Sequence, residues 1–95
     1  KQPPGGTSAD EEETHGITYM NTGRQQEALQ EFEYVKKLDP GNKDIYYLIG
    51  STYQRMNQLE QALGAYRQCT SGKYANVAQS AVRNLEKKVG KVSAR

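Results

Sequence analysis

The sequence contains no Trp, one Phe, one Cys and one His among its 95 residues. Each scarcity excludes something. A lone Cys69 closes no internal disulfide, so no cross-linked framework holds the chain. One His and one Cys fall short of a zinc cage built from about four nitrogen or sulfur ligands. Any Ser-His-Asp or Cys-His arrangement would rest on His15 alone, and no nucleophile or pocket motif accompanies it. Mean hydropathy is well below zero, and no apolar stretch approaches the roughly 20 residues a membrane span needs. The chain starts at Lys1 with no basic-then-apolar leader, which points to an excised piece or a processed form. A single thiol leans slightly toward a reducing, cytoplasmic setting, and fits a periplasmic one as well.

Charge is mild overall, at +2, and uneven along the chain. Residues 1–38 hold four bases and seven acids, whereas residues 39–95 hold nine bases and four acids. A solvated terminal helix explains the basic end more simply than an anionic partner does. Asp10, Glu11, Glu12 and Glu13 diverge by about 100° per residue on a helix, so they do not converge on one cation. They suit the positive N-terminal end of a helix. Gly5-Gly6 and Gly41 lack the spacing of a phosphate loop. The expectation is therefore no catalytic residue, no metal and no cofactor.

The strongest signal is a period of 34. Shifted by that interval, Gly16 falls on Gly50, Thr18 on Thr52, Tyr19 on Tyr53, Ala28 on Ala62, Leu29 on Leu63 and Phe32 on Tyr66. Each unit reads as two amphipathic helices. Tyr46, Ile49, Gly50 and Tyr53 share one face of a helix, and Leu59, Ala62, Leu63, Tyr66 and Cys69 share one face of the next. Asn57 with Glu60 reads as a capping box, as do Ser8 with Glu11 and Asn76 with Gln79. Gly72 stands where a left-handed helix cap is wanted, and Asp39-Pro40-Gly41-Asn42 carries strong turn chemistry. Small residues at helix crossings predict that Gly16 faces Ala28 and Gly50 faces Ala62, with Tyr19, Tyr53, Phe32 and Tyr66 filling the neighbouring volume. Val77, Ala78, Ala81, Val82, Leu85 and Val89 form one face of a last helix whose other face is charged.

With these residues in view, the chain resembles the tetratricopeptide repeat family, whose 34-residue unit carries W-x2-L-G-x2-Y, then A-x3-F, then P. The second unit reads Tyr46-x2-Ile49-Gly50-x2-Tyr53, then Ala62-x3-Tyr66; the first reads Gly16-x2-Tyr19, Ala28-x3-Phe32 and Pro40. The resemblance implies an all-α fold of five helices, antiparallel hairpins stacked into a right-handed superhelix. It divides the chain into a tail or linker (1–8), repeats at 9–42 and 43–76, and a closing helix with a basic tail (77–95). Glu12 and His15 depart from the family's large aromatic and Leu, and the alignment places His15 at a semi-buried packing position.

The resemblance also implies a non-catalytic scaffold or adaptor that binds a peptide segment of a partner protein in a concave groove. The alternative is an assembly element that stacks with further repeats or self-associates, since two repeats are near the lower limit for independent stability. Transferring the family's inward positions gives Ile17, Met20, Asn21, Tyr47, Ser51, Gln54, Arg55, Leu85 and Lys88 as groove residues, with Glu13, Asp44, Ala78 and Ala81 beside them. Family members that clamp chaperone carboxylate tails use Lys, Asn and Arg at positions matching Glu13, Ile17, Leu48, Ala78 and Val82 here; none supplies a donor, and no such clamp is expected. Seven tyrosines raise the question of stacking on nucleic acid. Most of them are consumed by the repeat pattern, leaving Tyr34, Tyr47 and Tyr74 for the surface, and a charge of +2 is a weak footprint for that class.

Overall fold

A computed structural model describes residues 9–93 of the chain. Five α-helices follow one another: α1 (Ala9–Asn21), α2 (Gln25–Leu38), α3 (Asp44–Arg55), α4 (Leu59–Gln68) and α5 (Ala75–Ser93). The described residues contain no strand. α1 packs on α2, α3 on α4, and each pair on its successor, while α1 meets α3 and α3 meets α5 only marginally. The all-α, helical-hairpin architecture expected from the period is the architecture found. The tail 1–8, and with it the Ser8 cap, lies outside the described residues.

The two hairpin turns are built alike, 34 residues apart. In the first, the N–H of Arg24 donates to the carbonyl of Tyr19 at 2.8 Å and that of Gly23 to Met20 at 3.3 Å. In the second, Gln58 donates to Tyr53 at 2.9 Å and Asn57 to Gln54 at 3.0 Å. This pair of bonds closes a helix through one residue in the left-handed region, and both Gly23 (φ 86°) and Asn57 (φ 60°) occupy it. Asn57 is thus the second unit's left-handed terminator and not the cap of α4. Gln58 holds the capping position, without a side-chain bond. Asn is the non-glycine residue that tolerates this conformation best, which is why the period survives the exchange.

The linker between hairpins follows its turn chemistry. Asn42 donates its N–H to the Asp39 carbonyl at 3.0 Å around Pro40, and its side-chain oxygen accepts from the N–H of Asp44 at 3.1 Å. Gly72 is left-handed as expected (φ 93°), and a β-carbon there would collide with the Asp44 carboxylate. That carboxylate accepts the N–H of Tyr74 at 3.1 Å, and the Tyr74 carbonyl accepts the N–H of Ala78 at 2.8 Å. Helix α5 therefore starts at Ala75, and Asn76 lies inside it; the Asn76–Gln79 capping box does not form. A carboxylate 30 residues away has taken over the anchoring of this helix start.

Two buried clusters fill the interior. Met20, Ala28, Phe32, Val35, Ile45, Leu48 and Ile49 form one; Ala62, Leu63, Tyr66, Cys69, Ala78, Val82 and Leu85 form the other. Tyr46, Tyr47, Tyr53 and Tyr74 pack against both and join them. The helix crossings differ from the expected small-on-small contact. A β-carbon on Gly16 would run into the Phe32 ring, and one on Gly50 would lie 2.7 and 2.8 Å from carbons of the Tyr66 ring. Each glycine makes room for the face of an aromatic ring, while Ala28 and Ala62 are fully buried beside it.

Candidate functional site

The residues assigned to the groove separate into two groups. Tyr47, Ser51, Gln54 and Arg55 come together with Tyr66 around an open recess of about 370 Å³ on the α3 side of the second hairpin. Their spacing on α3 places all four on one helical face, and Tyr66 reaches that face from α4. The Tyr66 hydroxyl donates to Gln54 Oε1 at 2.7 Å and lies 3.2 Å from Ser51 Oγ. Tyr47 stacks on Tyr74 with ring centroids 4.6 Å apart and meets the Tyr66 ring at 5.6 Å. The floor is thus a fixed aromatic group, and the wall is a hydroxyl–amide network.

A neutral phenol and one cation set the recess electrostatics. Burial pushes the Tyr66 phenol above its ordinary value of 10.0, with the Ser51 hydrogen bond acting in the opposite direction. The phenol accordingly stays a donor throughout the neutral range. Arg55 is exposed and forms no ion pair among the described residues. Because Gln54 accepts through its oxygen, its amide NH2 remains as a donor. The recess therefore offers donors for carbonyl or carboxylate oxygens over an aromatic floor.

The remaining assignments change. Met20 is only 7% exposed and Leu85 only 1%; both belong to the core and are not available as groove contacts. Ile17 is half-buried against the first cluster, Asn21 is exposed, and neither lines the recess with Tyr47. Lys88 is exposed and lines a different concavity, with Asn57, Gln58, Leu59, Glu60, Gln61 and Val89. The reason lies in the period. Ile17, Met20 and Phe32 in unit one correspond to Ser51, Gln54 and Tyr66 in unit two. The first hairpin has apolar groups where the second has hydrogen-bonding ones, so it packs them inward.

Tyr66 is the residue the sequence assigned to packing alone. The signal was present: a Tyr stands where the pattern asks for Phe, and a buried hydroxyl needs a partner. The repeat-packing residues otherwise sit as follows: Phe32, Gly16, Gly50, Ala28, Ala62 and Tyr66 are buried, Tyr19, Tyr46 and Tyr53 half-buried, and Pro40 exposed in its turn. The positions matching a carboxylate clamp offer no cationic donor, and three of them (Leu48, Ala78 and Val82) are buried apolar residues.

Three of the seven tyrosine rings carry a cation over a face. Arg24 lies 5.0 Å over the Tyr19 ring, Lys36 and Lys43 each 5.5 Å over Tyr46, and Lys73 5.4 Å over Tyr74. These rings have little free face for a nucleobase, and of the three expected surface aromatics only Tyr34, at 40%, is exposed, Tyr47 and Tyr74 being half-buried. No described helix is long and apolar enough to cross a membrane. His15 is exposed rather than semi-buried, with Nδ1 3.7 Å from a Glu12 carboxylate oxygen.

Cys69 is fully buried. Burial raises its thiol above the ordinary value, and the Asp44 carboxylate adds to the shift. A protonated, enclosed thiol is a poor nucleophile. Native protein at pH 7.4 is expected to react with a thiol-specific disulfide reagent at least about a hundredfold more slowly than protein in denaturant. Equal rates would remove Cys69 from the core.

Among known families, the tetratricopeptide repeat model matches residues 43–71, which spans α3, the turn and α4. No curated protein matches the chain.

Proposed function

We propose that this chain, whose second hairpin matches the tetratricopeptide repeat, is a non-catalytic interaction module that holds an extended segment of a partner protein against α3. Repeats of this family serve generally as protein-interaction modules, and stacked helical arrays bind partners on their concave faces. The observation that carries the reading is the recess of Tyr47, Ser51, Gln54, Arg55 and Tyr66, which joins a stacked aromatic floor to a guanidinium with no ion pair among the described residues. Rigid aromatics supply contact area at low entropic cost, and Arg supplies a strong, directional bond to carbonyl or carboxylate oxygen. The apolar anchors expected from Met20 and Leu85 are spent on the core, so recognition rests on the polar and aromatic groups of the second hairpin.

Selection of displayed random peptides on the whole chain is expected to enrich a defined motif. Arg55→Ala is expected to weaken the selected peptide by about tenfold or more, the worth of one charge-assisted hydrogen bond. Melting temperature stays unchanged, because Arg55 supports no described ion pair. Failure to enrich any motif, or equal affinity of the variant, sinks the reading. The assembly alternative has less behind it: Tyr34, Leu38 and Val77 are exposed, but isolated exposed apolar residues are ordinary on a monomer.

A further inference from the structure

We propose a divalent transition-metal site at the outer face of the first hairpin, formed by Glu12 and His15 of α1 and Glu31 of α2. Potential ligand atoms of the three side chains all lie within 4.8 Å of one another. Glu12 and His15 are three apart on α1, a spacing that points both side chains from one helical face. Glu31 approaches from the facing helix. Ligand atoms around Zn²⁺ or Co²⁺ stand about 3–3.5 Å apart, so closing the site needs shifts of about 1 Å. His15 is exposed and Glu31 half-buried. An imidazole with two carboxylates suits a borderline first-row ion, with water completing the shell.

Two further observations point to a ligand. Glu12 is only 9% exposed, and its carboxylate lies 3.7 Å from Nδ1 of the His15 imidazole. A carboxylate withdrawn this far from water is stabilised by a cation bound beside it. The second observation is internal to the chain. Shifted by 34, these positions become Tyr46, Ile49 and Ala65, which lie together beneath Glu33 and Lys36 of α2. The second hairpin fills this place with apolar groups, and the first replaces all three by metal-ligating types. A solvated end face accounts for polarity at these positions, but it does not require the one His of the chain and a buried carboxylate to meet there. One His and one Cys rule out a thiolate–imidazole cage, and the divergence of Asp10–Glu13 rules out a site within that run, but a site shared by two helices needs neither.

The test is titration of the untagged, chelator-stripped 95-residue chain with Co²⁺, followed by visible absorption and by displacement with Zn²⁺. One equivalent is expected to give d–d bands that Zn²⁺ abolishes. His15→Ala and Glu31→Gln are each expected to weaken binding by about tenfold or more, and His15→Ala, at an exposed position, to leave the melting temperature in chelator unchanged. A variant with the second hairpin's residues (Glu12→Tyr, His15→Ile, Glu31→Ala) is expected to fold and to bind no cobalt. Absence of the bands at millimolar Co²⁺, undiminished binding by His15→Ala, or a thiolate-to-cobalt band from Cys69 would each overturn the proposal.

Discussion

Phe32→Ala is expected to destabilise the chain by about 3–5 kcal/mol, the range for deleting a large ring from a packed core. Phe32 is fully buried, and its ring lies against Gly16 of α1 while its helix also faces α3. Removing it leaves a cavity between α1 and α2, at the crossing where its ring meets Gly16. A glycine backbone cannot move in to fill that space without bending α1. Small domains have total stabilities of about 5–15 kcal/mol, so this loss takes most of what is there. Chemical denaturation followed by far-ultraviolet circular dichroism measures it. The helical signal of α1 and α2 should be lost first, because the second hairpin has its own cluster with α5. A loss below about 1 kcal/mol would mean that the first hairpin is not closed by this contact.

Gly50→Ala reverses the usual sign of its substitution. Inside an exposed helix, Gly to Ala stabilises by about 1 kcal/mol. Here the new β-carbon lands 2.7–3.0 Å from three carbons of the Tyr66 ring, closer than atoms can approach. The ring is 2% exposed and its hydroxyl is held by Gln54 and Ser51, so it has no free direction in which to move. Overpacking of this kind costs about 1–3 kcal/mol, and the net effect is destabilising. Gly64→Ala in α4 is the control. A β-carbon there meets nothing within 4 Å, and the variant should gain close to the full helix-propensity term. The same sign for both variants would contradict the ring-on-glycine crossing. Gly50→Ala should also weaken peptide binding, since the ring it displaces carries part of the recess.

Much of this was legible in the sequence because a helical repeat is a local structure. The 34-residue period places both hairpins, and Gly23, Gly72 and Pro40 mark turns through backbone chemistry that a single residue type specifies. Legibility ended where the same position is filled by two chemically different residues. Asn57 resembles a cap on its own, and only its pairing with Gly23 shows it to be the left-handed terminator. Met20 and Gln54 share a family position, yet one is core and the other lines the recess, because Phe32 offers no hydroxyl and Tyr66 does. The start of α5 was hidden for a different reason. Its anchor is Asp44, a contact made across 30 residues that no local pattern announces.

The glycine crossings connect fold to candidate function. Gly50 lets the Tyr66 ring lie flat against α3, which brings its hydroxyl to the side where Ser51 and Gln54 emerge. Tyr47 can then stack on Tyr74 and meet the Tyr66 ring at a tilt, and Arg55, without an ion pair among the described residues, lines the same recess. The first hairpin repeats the crossing with Phe32 and Gly16 but not the chemistry. It forms a structural layer, and the second hairpin forms the surface proposed to meet a partner.

The most direct test of that proposal is an amide chemical-shift titration of isotopically labelled chain with the selected peptide. The account predicts that the largest shifts fall on Ser51, Gln54, Arg55 and Tyr66, with Lys88 and the α3–α4 turn little affected. Shifts centred instead on Asn57–Gln61 and Lys88, or on the exposed face at Tyr34 and Leu38, would contradict it.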